Sequence, residues 1–388
     1  MVKITSVEAA WLHVPLPAEK QHRSDFGRIT AFDGVLVIVR TADGSIGYGE
    51  AKPAVGSSGN GAALVAIVTQ ELAPLLVGQD SSEIGALGQR MLNGSRATLA
   101  QRAGRAMPIL GRRGIHQSAI AGVDLALWDL LGKRHDCSVL ALLGGASRPS
   151  IPAYASGGWE SAERLGEELG RYVEQGFRAV KMRIGAMDGG VHTSLARVRA
   201  ARAALGPEIA LMVDAHGTLS VAEARRFCAA TAELDLRFLE EPVASDDRAG
   251  LAEVRRSAAV PIAAGESEAS CFDFAELIER RAIDVLQPDL AIAGGFSEGQ
   301  RIAALAWANR AELAPHCWGS ALSFQAARTL ALASPAGTFV EVPMGGAPLL
   351  RELASIDLTL HDGALLPPQG PGWGVEPDPA FVKRFTRT

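Results

Sequence analysis

The run FRAVKMRIG (177–185) decides the fold, because the pattern it sits in repeats in both directions along the chain. It is a short, mostly apolar stretch between two amphipathic ones, SAERLGEELGRYVEQG (161–176) and SLARVRAARAAL (194–205). Strands covered by helices lose period-two alternation, and helical connections satisfy the right-handed crossover rule. Working outward, IPAYAS (151–156) precedes it, and IALMVDA (209–215), LRFLEE (236–241), VPIAAGE (260–266), DVLQPD (284–289), ELAPH (312–316) and TFVEV (338–342) follow. Eight strand candidates joined largely by helices predict an α/β barrel.

Upstream, VKITSVEAAWLHV (2–14) and GVLVIVRTADGSIGYGE (34–50) read as strands, with Asp43-Gly44 as a hairpin turn. The polar segment Glu19 to Thr30 between them is a candidate lid. ALVAIVTQELAPLL (63–76) and HQSAIAGVDLALWDLLGKR (116–134) carry helical periodicity, so the opening region is α+β. After about Pro343 a turn-rich tail through Trp373 and Phe381 is expected to return to it.

At 388 residues and 48% apolar side chains the chain can bury a large core, which excludes a disordered or stapled miniature protein. Its 43 acidic against 38 basic residues give a net charge of -5, leaving no broad attraction for a nucleic-acid backbone. Cys137, Cys228, Cys271 and Cys317 are scattered, without a metal or redox pair spacing, and fit a reduced, cytoplasmic setting. MVKITSVEAAWLHVPLP has no secretion-signal core, and no apolar run reaches the roughly 20 residues a spanning helix needs. The 42 glycines have no collagen period and imply many turns.

Chemistry gathers at the strand ends. Asp214 closes IALMVD, Glu240 closes LRFLE and Glu266 closes VPIAAGE. Successive barrel strands share one rim, so the three acids can converge, and hard oxygen donors favour Mg2+ or Mn2+ over zinc. Spacing alone also fits helix caps or rim salt bridges. Lys181 and Arg183, two apart, leave one strand face together. Asp289 and His316 end consecutive strands, where the acid can orient the imidazole for proton transfer. Glu341 lies in the last strand.

Together these residues strongly resemble the enolase superfamily, specifically its mandelate racemase subgroup, over nearly the whole chain. The resemblance implies a modified (β/α)7β TIM-like barrel with an α+β capping domain, divided as cap 1–125, barrel 126–350 and a returning segment 351–388. It implies Asp214, Glu240 and Glu266 as magnesium ligands, Asp289 and His316 as the catalytic dyad, and Glu341 as an acid that hydrogen-bonds the substrate carboxylate. Implied as well are proton abstraction alpha to a carboxylate, capping loops around His22, Arg23 and Asp25 and around Lys52 to Gly61, and a homo-oligomer.

One departure bears on the reaction. Arg183 stands where the racemase pattern has a second catalytic lysine, and a guanidinium is a poor base. Two-sided racemisation is therefore disfavoured. Lys181 either serves as an opposite-face base, if its environment lowers its proton affinity, or joins Arg183 in holding the substrate. The reading favours an acid-sugar dehydratase that yields a 2-keto-3-deoxy acid from an aldonate or aldarate, with His316 serving both steps. Racemase or epimerase, cycloisomerase and noncatalytic carboxylate binder are the alternatives. His22, Arg23 and His216 are candidate substrate contacts; His216, two past Asp214, could also ligate the metal, but contact with substrate or a hydrogen bond to a ligand fits at least as well, since three acids already form the main site. Glu241 and Glu268 also follow the acids but are not primary ligands.

Overall fold

The opening strands pair into an antiparallel sheet in the order β1-β4-β5, formed by β1 (Ile4–Pro15), β4 (Ala31–Thr41) and β5 (Ile46–Ala51). Between β1 and β4, β2 (His22–Ser24) pairs with β3 (Gly27–Ile29) as a separate small hairpin. The computed structural model describes residues 1–25, 27–54, 61–93 and 113–387. The Asp43-Gly44 turn joins β4 to β5 as expected, with Thr41 Oγ1 donating to Asp43 at 2.6 Å. Helix α1 (Ile115–Arg134) packs directly on β5. Gly47 and Gly49 make this possible: a Cβ at either would stand 2.1 Å from a carbonyl oxygen of α1. Part of the glycine excess therefore serves close helix-on-sheet approach.

The eight strand candidates all form: β6 (Ile151–Gly157), β7 (Ala179–Arg183), β8 (Ala210–Asp214), β9 (Leu236–Glu240), β10 (Ile262–Ala264), β11 (Val285–Leu286), β12 (Glu312–Leu313) and β13 (Val340–Pro343). Neighbours pair in parallel through the series, and β13 returns to β6. Leu313 N to Ala336 O (2.8 Å) and Thr338 N to Leu313 O (2.9 Å) close the remaining gap. Helices α2 (Ala162–Glu174), α3 (Val191–Leu205), α4 (Val221–Ala230), α5 (Arg248–Ser257), α6 (Cys271–Glu279), α7 (Phe296–Ala308) and α8 (Ala321–Ala333) fill the seven intervals. This is a modified TIM-like barrel, (β/α)7β, with an antiparallel capping sheet.

The local causes are conventional. In α2, Leu165, Leu169 and Tyr172 recur at helical spacing and are buried, while Glu163, Arg164 and Glu167 face water. A reciprocal cap starts α4, with Glu223 N donating to Ser220 Oγ and Ser220 N donating to Glu223 Oε2. The tail first adds β14 (Ala364–Leu365) antiparallel to the barrel strand β6 and then returns to the opening strands, where Arg387 N donates to Trp11 O at 2.8 Å. Among the described residues, no helix is long and apolar enough to cross a membrane.

Candidate active site

The site follows from counting by two along the strands. Tyr154, Ala179, Met212, Phe238, Ala263, Val285 and Ala314, with Phe339, form a separate small core that takes one residue from each barrel strand or its immediate flank. Tyr154 meets Phe238 and Phe339 edge-on, each at 6.1 Å, so this ring plugs the barrel. Two residues further along, side chains return to the same face. Those positions are Ser156, Lys181, Asp214, Glu240, Gly265, Gln287, His316 and Glu341, and every side chain among them is buried and polar. Apolar floor and polar layer are one ladder.

Glu266 breaks the count, being three past Ala263. Gly265 takes φ +131 immediately after β10, and a Cβ there would lie 2.4 Å from the Phe274 ring. Glycine at that bend lets the following carboxylate turn into the site.

Lys181 Nζ stands among three carboxylates: Glu240 Oε1 at 2.5 Å, Glu341 Oε1 at 2.9 Å and Asp214 Oδ2 at 3.5 Å. Burial opposes its charge, but Glu240, Glu341 and Asp214 together raise its proton affinity well above an ordinary lysine. The environment of Lys181 thus acts opposite to the lowering a lysine base would need. Glu240 also accepts from Gln287 Nε2 at 2.6 Å. Burial, then the repulsion of Asp214, Glu341 and Glu266, pushes Glu240 upward despite Lys181. Glu341 accepts from Cys317 N and Trp318 Nε1 and is held down to about 2, burial being outweighed by Lys181 and His316.

His316 Nδ1 meets Asp289 Oδ2 at 2.8 Å, and its Nε2 is 3.2 Å from Glu266. Burial would keep Asp289 protonated, but Lys52 and His316 hold it ionised, so the imidazole is the donor. Burial also disfavours the His316 cation. Glu266, Glu341 and the Asp289 bond outweigh it and raise the ring to about 8.

His216 adopts φ +44, a left-handed backbone that turns its ring back over the strand end. Its Nε2 lies 3.0 Å from Asp214 and its Nδ1 2.8 Å from Asp25, at the tip of the β2–β3 hairpin. Burial is again overridden, by Asp214 first and Asp25 next, so His216 is held well above an ordinary imidazole. Arg183 Nη1 pairs with Asp188 at 3.0 Å and stands 3.8 Å from Asp25. The side chains of His22 and Arg23, and residues 55–60 of the second expected capping loop, lie outside the described residues. Of the secondary acids, Glu268 turns to Arg248 at 2.7 Å, and burial raises it to about 7. Glu241, beside Glu240, is driven well upward by burial and by Glu266 and Asp214.

Among the described residues, no group of three or more His, Cys, Asp or Glu is arranged as a cage for a metal ion. Oxygens of Asp214, Glu240 and Glu266 engage His216, Lys181, Gln287 and His316 instead. Sequence reasoning gave Lys52 no partner and did not single out Glu50 at all. Lys52 Nζ donates to Asp289 at 2.8 Å, and Glu50 accepts from Ser320 and Ser323.

Residues 164–381 match the enolase C-terminal domain-like family, and residues 7–144 match the N-terminal domain of mandelate racemase / muconate lactonizing enzyme. The chain is 32% identical over 355 residues to D-galactarolactone cycloisomerase of Agrobacterium fabrum, covering 88% of each protein. It is 32% identical over 346 residues to arabinonate dehydratase of Saccharolobus solfataricus, covering 88% of this chain and 87% of that one. A solved racemase from Streptomyces coelicolor A3(2) with bound magnesium superposes with a TM-score of 0.85 at 29% identity, covering 99% of this chain and 100% of that one. With a ring-closed (β/α)7β barrel, an antiparallel cap and matches across both parts, the chain belongs to the enolase superfamily, in its mandelate racemase and muconate lactonizing enzyme group.

Proposed function

We propose that the protein is a magnesium-dependent hydro-lyase that dehydrates an acid sugar, an aldonate or aldarate, to a 2-keto-3-deoxy acid. The observation that carries this reading is the placement of two histidines across one polar layer. His216 follows the third strand of the ring and His316 follows the seventh, four strands apart in a ring of eight and therefore on opposite sides. Proton removal and hydroxyl departure each need an acid–base group within reach, and such a pair supplies one on either side.

In this mechanism His316 Nε2 takes the proton alpha to the substrate carboxylate, and Asp289 supports the imidazolium through Nδ1–H. The electron pair moves into the carboxylate, giving an enediolate. The hydroxyl on the adjacent carbon then takes a proton and leaves as water as the carbon–carbon double bond forms, and the resulting enol becomes the keto acid. The leaving proton comes from His316 itself when both groups depart from one face. Position favours His216 when they depart from opposite faces. Lys181 and Glu341 line the substrate carboxylate end, while Arg183, tied to Asp188, acts as a fixed cation.

Asp214, Glu240 and Glu266 would hold the divalent cation, Mg2+ with Mn2+ as a substitute. Their chemistry fits, because they are buried hard oxygen donors, and burial together with the repulsion of Asp214, Glu341 and Glu266, which push Glu240 upward, is what a cation offsets. When bound, the cation offsets negative charge gathering on the substrate carboxylate. The family resemblance further supports a homo-oligomer and the working division 1–125, 126–350 and 351–388.

A cycloisomerase reading stands second, favoured by likeness to the galactarolactone enzyme. A panel of mono- and diacid sugars and their lactones, incubated with Mg2+ in deuterated water, separates the readings. Dehydration gives a keto acid that has lost one water, cycloisomerisation a structural isomer that has lost none, and racemisation the epimer deuterated at the alpha carbon. Metal-dependent binding without deuterium uptake would sink the enzymatic reading.

A further inference from the structure

Two charged side chains of the cap enter the barrel beside His316. Glu50 lies near the end of β5 and Lys52 follows two positions later, so both leave the chain on one side. Lys52 Nζ donates to Asp289 Oδ2 at 2.8 Å, the same oxygen that receives His316 Nδ1–H, while Ala291 N holds Oδ1 at 2.9 Å. Lys52 N also donates to Ala291 O at 3.1 Å. Glu50 Oε2 accepts from Ser320 N and Oγ, each at 2.7 Å, and from Ser323 Oγ at 2.5 Å. Ser320 caps α8 and lies four residues past His316. One strand end therefore grips the loop that carries Asp289 and the loop that carries His316.

Simple adhesion does not need such groups. Burying a lysine or glutamate costs several kcal/mol per ion before pairing, and apolar residues of the same size hold two surfaces together as well or better. Cap and barrel are already joined elsewhere, by Asp124 with the backbone N and the hydroxyl of Ser297. Charges at Glu50 and Lys52 offer direction instead. With both Asp289 oxygens engaged, its carboxylate plane is fixed, and His316 has one acceptor direction for Nδ1–H.

We propose that Lys52 and Glu50 are positioning residues for the His316–Asp289 pair, so that the cap sets the angle at which the imidazole meets the substrate. The inference rests on the proton-abstraction reading above. Lys52 acts through Asp289, and Glu50 acts through the first turn of α8.

The test uses the full chain labelled with 15N-histidine, following the His316 ring N–H resonance, assigned by its loss in His316→Asn. In Lys52→Met the resonance shifts or broadens. On an acid sugar found by the panel, kcat falls about 100-fold, as for a catalytic group displaced by about 1 Å, while KM changes less than about threefold. Lys52→Arg restores part of both. Glu50→Gln gives a smaller change of the same kind, and it carries the test if Lys52→Met does not fold by circular dichroism. A folded Lys52→Met, or in its place Glu50→Gln, with an unmoved resonance overturns the proposal. If the panel yields no substrate, the proton-abstraction reading fails on its own terms, and the resonance still decides whether Lys52 positions the ring.

Discussion

The two histidines at the mouth are held from different parts of the molecule. His316 leans on Asp289, which lies on the loop after the neighbouring barrel strand and is itself fixed by Lys52 and Ala291 N. His216 leans on Asp214 below and on Asp25 above, and Asp25 sits at the tip of a hairpin of two three-residue strands that forms its own two-stranded sheet. The first partner is set by buried hydrogen bonds from Ala291 N and the cap's Lys52, the second by where the hairpin rests. For departure from opposite faces, the proposed reaction places proton abstraction on the fixed side and hydroxyl departure on the conditional side.

The largest effect should come from breaking the fixed side. His316→Asn is expected to lower both alpha-deuterium exchange and keto-acid formation by at least about 10³-fold, the range of a lost general base. His216→Asn should instead leave exchange readily measurable while keto acid falls by about 10²-fold. Equal loss of exchange in the two variants would mean the sides are not divided in this way. Asp25→Asn tests the hairpin, since it keeps the shape but weakens the charge-assisted bond to His216 and removes the longer-range attraction to Arg183. Keto-acid kcat/KM should drop about tenfold, worth one such bond, with exchange on bound substrate little changed. A drop as large as that in His316→Asn would place Asp25 in the chemistry itself.

The same asymmetry runs through what the sequence made legible. Barrel strands could be read because their bodies are short, mostly apolar runs between amphipathic ones, and Asp214, Glu240 and Glu266 because each is the first acid after such a run. Counting by two from the apolar floor would also have marked Gln287 and Ser156 as facing the site, which was overlooked. Glu266 is out of step with that count, and only the backbone of Gly265 explains it. The cap's contribution could not be read in the same way. Glu50 and Lys52 meet partners 270 and 237 residues away, and Asp25 meets His216 across 191. Local pattern carries no information about such pairings. The available hint was chemical: GYGEAK places two opposite charges on one side of a strand end that is otherwise glycine and apolar residues.

The smallest predicted effect sharpens the comparison by probing the joint from which the fixed side draws its support. Helix α1 meets the barrel through Asp124, which accepts from Ser297 N and Oγ, while Asp129 on the same helix accepts from the Tyr48 amide of β5 and the Trp373 amide of the returning tail. Burial raises both carboxyls to about 6 against an ordinary 3.8, overcoming Ser297 at the first and Lys133 at the second. Between those values the folded protein binds protons that the unfolded chain does not. Their contribution to stability is therefore full below about pH 4 and is lost as pH rises through about 6. Going from pH 7 to pH 5, each group should add about 1 kcal/mol to the unfolding free energy. Asp124→Asn removes its share. The gain measured by guanidinium titration at the two pH values should thus be smaller in the variant by about 1 kcal/mol. Carboxylates at the mouth titrate in both proteins and largely cancel from that difference. An unchanged gain would show that Asp124 is already neutral at pH 7, or ionised at pH 5. Its bonds to Ser297 would then not be the pH-sensitive part of the joint that holds the cap, and with it Lys52, against the His316 side.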